Sequence, residues 1–482
     1  VSASAGAGGW EPVIGLEVHC ELRTATKLFC GCRNAFGDEP NTNICPVCLG
    51  LPGSLPVLNV RAVEYAMRIG LALHCEIRPS LFHRKNYFYP DMPKDYQVSQ
   101  YDAPINVSGW LELPDGSRVS IERAHMEEDT GKTTHVGGGG RIRDAEHALV
   151  DYNRAGVPLV EIVSAPDIRS SAQARLYASE LRGILIATGA SDGRMEEGSM
   201  RVDANVSVRP AGTYEFGTRC EIKNLNSLRS LGRAIEYEIG RQVALLESGQ
   251  AVAQQTRHFD EDAGETVALR SKEEAFDYRY FPEPDLVPVA PDAGWQAEVA
   301  ASLGPMPADR RQKLAGLFGT GPTTPARDDQ IATVVELGLD ALMLAAVESG
   351  VDVGLALART ANEAAADPDR ARQLEPTNYV ALLRMEAEGK ISATHTKTLL
   401  ADMFDGGGDP AELARRRGFE ALDDSSLAAV VADVVAANPD EWARYRDGDD
   451  KLTGFFTGQV MKVTSGRANG KAVAQELRRL RG

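Results

Sequence analysis

Residues 14–22 read Ile-Gly-Leu-Glu-Val-His-Cys-Glu-Leu and alternate in period two. Ile14, Leu16, Val18, Cys20 and Leu22 take one side, and Gly15, Glu17, His19 and Glu21 the other. That is the repeat of a strand, whose successive side chains point to opposite faces. One face is committed to a core. The other carries two carboxylates and an imidazole, with alternate residues about 6–7 Å apart, a spacing suited to a hard metal ion or a phosphate-bound cation. Four cysteines follow, as Cys30-x-Cys32 and Cys45-x-x-Cys48. Thiolates two to four residues apart on turns can converge tetrahedrally on zinc; the alternative is four buried, inert thiols. A fold for this chain must seat both groups close together.

Several classes are excluded by composition. The 482 residues exceed what one core organises, so two to four domains are expected. No apolar run approaches the ~18 residues of a membrane span, and residues 1–9 lack the basic and apolar regions of a signal peptide. Seven cysteines, four at metal spacing, argue against a disulfide framework and fit a reducing cytoplasm. Cys20, Cys75 and Cys220 sit in apolar contexts and read as packing residues. A net charge of −17 opposes non-specific coating of nucleic acid. Yet residues 451–482 hold seven Lys or Arg and one acid, a net +6 end that points either to a polyanionic partner or to a solvated helix end.

Along the chain, residues 60–73 have helical spacing, and prolines 90 and 93 break the aromatic stretch 84–97. Residues 119–125 alternate as a strand, and glycines 137–140 read as a loop. Residues 149–163 read as two strands hinged at Asn153-Arg-Ala-Gly156, a hairpin signal. Helices are expected over 171–188 and 227–248, with a strand over 195–208 between them. From about residue 293 the pattern turns helical, and Gly406–408 with Asp409-Pro410 reads as a linker. The expected fold class is α+β: a large mixed-sheet cradle over 1–292, an all-helical domain over 293–405 and a small helical tail over 406–482.

Carboxylates recur on polar strand faces: Glu17 with His19, Glu127 and Glu128, Glu196 and Glu197, Asp203, and Glu221. Gathered in one cleft they would hold a divalent cation, and oxygen donors with one imidazole favour Mg2+ or Mn2+ over zinc. Ungathered, they are surface strands. Asp129-Thr-Gly-Lys-Thr133 is not a P-loop, since its first glycine would fall at Met126. Lys85, Lys132, Lys223, Arg84, Arg154 and Arg201 are candidates to neutralise phosphates or are ordinary surface charges. Tyr87, Phe88, Tyr89 and Tyr96 either stack on a base or pack a core.

Gly-Leu-Glu-Val-His19, the cysteine quartet, Arg84-Lys-Asn-Tyr-Phe-Tyr-Pro-Asp-Met-Pro-Lys94 and His125-Met-Glu-Glu-Asp129 occur in order. They are followed by Asp151-Tyr-Asn-Arg-Ala-Gly-Val-Pro158, Met195-Glu-Glu-Gly-Ser199, Arg201-Val-Asp-Ala-Asn205 and Lys223-Asn-Leu-Asn-Ser227. Asp277-Tyr-Arg-Tyr-Phe-Pro-Glu-Pro-Asp285 and, in the tail, Gly458-Gln-Val-Met-Lys462 with Gly466-Arg-Ala-Asn469 complete the set. Over essentially the whole chain this resembles the B subunits (GatB) of the heterotrimeric aspartyl/glutamyl-tRNA amidotransferases. The resemblance implies a ligase that uses ATP to phosphorylate the side-chain carboxylate of glutamate on tRNA(Gln) or aspartate on tRNA(Asn). Ammonia released by the amidase A subunit then displaces the phosphate, and a small C subunit joins the other two. The cognate aminoacyl-tRNA synthetase is a further implied partner. Carried onto this chain, the Mg2+/ATP site would use His19 and Glu128 with Glu17. Glu127, Glu196, Glu197, Asp203 and Glu221 would add ligands, and Lys85, Lys223 and Arg154 would contact phosphate or carboxylate. Cys30, Cys32, Cys45 and Cys48 would be the zinc knuckle that some members carry. The family commonly has a second acid where this chain has Ala165, so that position is assigned no role. The residues alone leave two other classes open: a non-catalytic, zinc-containing tRNA-binding adaptor, and a stand-alone carboxylate–ammonia ligase.

Overall fold

The computed structural model describes residues 9–137, 145–269, 278–319, 324–419, 424–464, 468 and 470–481. Glycines 138–140 of the expected loop and Arg467 of the basic tail lie outside them. The chain divides into two compact units, one ending at Pro307 and the other beginning at Ala308.

In the first unit β1 (Trp10–Glu21) leads through the cysteine loop to α1 (Val60–Ala72), β2 (Glu76–Ile77), β3 (His83–Asn86) and β4 (Tyr96–Ser99). There follow β5 (Asn106–Glu112), β6 (Arg118–Glu128), β7 (Lys132–Val136), β8 (His147–Asp151) and β9 (Pro158–Ser164). The unit continues with α2 (Ser171–Ala187), β10 (Met200–Pro210), β11 (Cys220–Leu225), α3 (Leu228–Glu247), β12 (Gln255–Asp260), β13 (Glu265–Ala268), β14 (Phe281–Pro282) and α4 (Ala293–Ala301). Among the described residues one large sheet runs β13-β12-β11-β10-β1-β9-β6-β4-β3-β14, with β5 also on β6 and β2 on β5. Its pairs are antiparallel except β11 with β12. The expected hairpin around 153–156 does not form. β8 pairs with β7 in a separate two-stranded sheet, and β9 goes to the centre of the large one, between β1 and β6.

The alternation of residues 14–22 is realised. Ile14, Leu16, Val18 and Cys20 are fully buried in one core with Ala124, Met126, Val160, Ile162, Val202, Ala204 and Val206. Helices α1, α2 and α3 supply Met67, Ile69, Tyr177, Leu181, Leu231 and Ile235 to the same core. Each helix begins where the sequence offers a cap: Asn59 accepts from the Arg61 N–H, Ser170 from Gln173 and Ser227 from Ser230. Such caps contribute about 1 kcal/mol apiece. Gly70 allows α1 to lie close to β5, because a Cβ there would fall 1.9 Å from Asn106 Oδ1. With helices on the apolar face, the face bearing Glu17 and His19 is left for chemistry.

The second unit is helical. One core gathers residues between Leu314 and Ala414, including Tyr379, Leu383 and Leu399; a separate one gathers residues between Leu427 and Leu477, including Tyr445, Phe456 and Val460. Helix Pro410–Arg417 follows Gly406–408 and packs into the first of these cores through Ala414. No single helix among the described residues is long and apolar enough to cross a membrane.

Candidate active site and metal centres

Register builds the site. β1 pairs His19 with Arg201 of β10 on one side and with Glu161 of β9 on the other, and β9 pairs Glu161 with His125 of β6. The next rung sets Glu17 against Asp203. Residues opposite each other in a ladder share a face, so one polar row crosses four strands. His19 Nε2 lies 3.6 Å from Glu161 Oε2, and His125 Nε2 lies 3.9 Å from an oxygen of both Glu127 and Glu161. His19, Glu127 and Glu161 each offer a ligand atom, all within 4.8 Å of one another. An imidazole with two carboxylates is a donor set for a divalent ion of the Mg2+ or Mn2+ class.

These groups are partly or fully buried and perturb one another. Burial works against a charged His19, but its hydrogen bond to Glu161 and the nearby acids push it up to about 9. Burial would raise Glu161, yet His19, His125 and Arg123 hold its carboxyl far below the usual range. Burial lifts Glu127 to about 7 and lowers His125 to about 4. It also raises Glu17, which accepts from Asn205 Nδ2 at 2.9 Å. Groups with perturbed affinities gathered on one surface make it a candidate functional site.

Two charged clusters flank the row. Lys223 Nζ lies 2.9 Å from Glu221 and 3.4 Å from Asp203, whose other oxygen accepts from the Asn224 N–H. Arg201 donates to Asp129 at 2.6 Å. Arg154 lies 3.7 Å from the same carboxylate and donates to the Thr130 and Gly131 carbonyls, tying down the turn after β6. Lys85 caps the Tyr278 ring at 4.7 Å, and its charge acts on Glu127 and His125. Beside Glu17 and Asn205 lies a cleft of 270 Å³ that also takes in Phe216 and Arg219.

Glu128 is not brought to His19, contrary to the ligand set of His19, Glu128 and Glu17. Adjacent strand residues face opposite ways. Glu127 meets the polar row, while Glu128 turns to the other face, where it is buried against Lys94 Nζ and accepts from the Val98 N–H. Nor are Glu196 and Glu197 found in the row: Glu196 is exposed, and Glu197 pairs with Arg194 in the turn before β10. Glu161, His125 and Asp129 carry no local sequence signal of a site role. Glu161 stands alone between Val160 and Ile162, and only the pairing of β9 with β1 and β6 reveals it.

The cysteine quartet converges. Sγ atoms of Cys30, Cys32, Cys45 and Cys48 lie within 4.8 Å of one another, and none forms a disulfide. Its hydrogen bond with Cys30 lowers the Cys48 thiol to about 5, with help from nearby Lys27. Four convergent sulfurs fit zinc. Cys30 and Cys48 line a small pocket with Lys94 and Glu128, so the loop rests against the strand that carries Glu127.

Comparison with known proteins decides the family. The GatB/GatE catalytic domain matches residues 12–297, and the GatB domain matches residues 354–480. The chain belongs to the GatB family. It is 50% identical to the B subunit of the aspartyl/glutamyl-tRNA(Asn/Gln) amidotransferase from Mycobacterium sp. (strain KMS), over 97% of this chain and 95% of the relative. The corresponding subunits from Carboxydothermus hydrogenoformans and Mycobacterium tuberculosis are 47% and 49% identical, again over 97% of this chain and over 98% and 94% of theirs. Every residue of the polar row and all four cysteines fall inside the stretch matched by the GatB/GatE catalytic domain.

Proposed function

We propose that this chain is the carboxylate-activating subunit of a tRNA-dependent amidotransferase. Glutamate on tRNA(Gln) or aspartate on tRNA(Asn) is phosphorylated by ATP on its side chain and then amidated by ammonia. A carboxylate has no leaving group, so one of its oxygens attacks the γ-phosphorus and expels ADP. Ammonia then attacks the acyl carbon and expels phosphate, which carries away that oxygen. The observation that carries the reading is the His19–Glu127–Glu161 group, with Glu127 buried and the other two half-buried, on the polar sheet face of the matched catalytic domain.

In this reading His19, Glu127 and Glu161 hold the ion, and Glu17 lies on the next rung of the same face. A divalent ion there supplies charge neutralisation for the ATP phosphates and the transferring phosphoryl group. Lys85 and Lys223 are cations at opposite ends of the row, placed to meet phosphate or substrate carboxylate. Asp203 and Glu221 hold Lys223, while Asp129, gripped by Arg201 and Arg154, fixes the turn at the end of β6. The acyl phosphate has to be kept from water, which would hydrolyse it. The cysteine quartet holds a structural zinc. Ammonia comes from a partner amidase A subunit by a channel, with a small C subunit completing a cytoplasmic heterotrimer.

The test is Glu127→Gln in the reconstituted complex, assayed with mischarged tRNA, ATP and glutamine. Amide formation and tRNA-stimulated ATP hydrolysis should fall at least 100-fold while glutamine hydrolysis by the partner persists. Amidation at the unmodified rate would contradict the assignment, and an adaptor-only role would then explain the fold.

A further inference from the structure

We infer that His125 is a fourth ligand of the cation group, making the donor set two imidazoles and two carboxylates; this rests on the reading that His19, Glu127 and Glu161 hold a divalent ion. His125 is fully buried, and neither of its ring nitrogens has a hydrogen-bond partner among the described residues. A buried polar group left unsatisfied costs about 1–3 kcal/mol, so an unpaired imidazole at the centre of a sheet implies something that pairs it. Its surroundings name the candidate. Nε2 sits 3.9 Å from Glu127 Oε2 and 3.9 Å from Glu161 Oε2, and the latter is 3.6 Å from His19 Nε2. Octahedral ligands about 2.1 Å from one ion lie about 3.0 Å apart when adjacent and about 4.2 Å apart when opposite. These three separations fall in that span; His125 stands just outside the group whose ligand atoms all lie within 4.8 Å of one another, so its ring must turn toward Glu127 and Glu161 for one ion to touch both imidazoles and both carboxylates.

The placement is built in rather than incidental. The ladder pairs Glu161 with His19 on one side and with His125 on the other, which brackets the carboxylate between two rings. Tyr101 meets the His125 ring edge-on at 6.2 Å, and Tyr101 is itself held under the Arg123 guanidinium at 4.7 Å. A second nitrogen donor also shifts preference from Mg2+ toward first-row transition ions such as Mn2+.

Mn2+ is the probe. The zinc-replete full chain, freed of other divalent ions, is loaded with Mn2+, and its electron spin-echo envelope modulation is recorded. The wild type should show two inequivalent nitrogens, and His125→Gln should show one. Mn2+ affinity should fall tenfold or more in that variant, with Mg2+ affinity, read by competition, falling less. His125→Asn gives the same reading if the glutamine variant folds poorly, and the nitrogen count of the wild type needs no variant. A single nitrogen in the wild type, as expected if a water pairs His125 instead, overturns the inference and leaves the cation site standing. Failure of the wild type to bind Mn2+ removes both.

Discussion

His19 and Glu161 face each other across paired strands, and each sets the other's charge. In the ion-free protein His19 keeps its proton up to about 9, against 6.5 ordinarily. A raised histidine stabilises the fold fully below pH about 6.5, and that contribution is lost as pH rises toward about 9. Glu161→Gln removes the main upward influence. It should bring His19 back down toward its ordinary value and flatten the alkaline loss of stability. Histidine-labelled NMR titration of ion-free protein checks this; an unmoved His19 in the variant would contradict the pairing. How far such residues can be read from the chain depends on strand phase. Period two in residues 14–22 already puts Glu17 and His19 on one face. Period two cannot choose between Glu127 and Glu128, the latter being the residue implied by the family resemblance, because β6 is irregular between Ile121 and Arg123. Val119 and Ile121 point to the core, but beyond the irregularity Ala124 and Met126 do. The phase flips, and only the folded ladder shows that Glu127, not Glu128, meets His19.

Helices and loops brace this sheet by identifiable contacts. On α3 the Glu238 carboxylate is buried and accepts from Arg241 at 2.6 Å and from Gln242 and Thr266 at 2.8 Å, with Arg257 3.3 Å away. Glu238→Ala leaves two arginines without their acid and should cost about 3–5 kcal/mol, read as a lower denaturant midpoint at constant slope. A change under about 1 kcal/mol would show the cluster to be unimportant. The cysteine loop is the other brace. Cys45→Ser should lower zinc content and expose residues 33–45 to proteolysis; unchanged zinc and unchanged cleavage would contradict the four-cysteine zinc assignment. Local signals foretold α1, α2 and α3 to within a residue or two, since capping residues and apolar periodicity are local. The hairpin expected at 153–156 was not decidable locally: Asn153–Gly156 makes a turn either way, and whether its flanks pair is settled by distant partners, β7 for one and β1 with β6 for the other.

For the molecule as a whole, charge is divided against the average. The chain carries −17, yet its last helix, Gly470–Arg481, ends in Arg478, Arg479 and Arg481. Two of these are engaged internally, Arg479 with Glu476 at 2.6 Å and Arg481 with Asp450 and the Tyr445 ring. Arg478 and Lys462 are exposed and are the better candidates for phosphate contact. Replacing both by Ala should weaken tRNA binding and lower the slope of log affinity against log salt by about 1–2; an unaltered slope would remove the tail from the interface. The proposed reaction turns on the fate of one carboxylate oxygen. With mischarged tRNA(Gln) whose glutamate side chain is labelled with 18O, the complete amidotransferase should release inorganic phosphate carrying one 18O for each amide formed. Amide formation with unlabelled phosphate would show that the carboxylate is never phosphorylated, which contradicts the proposed function.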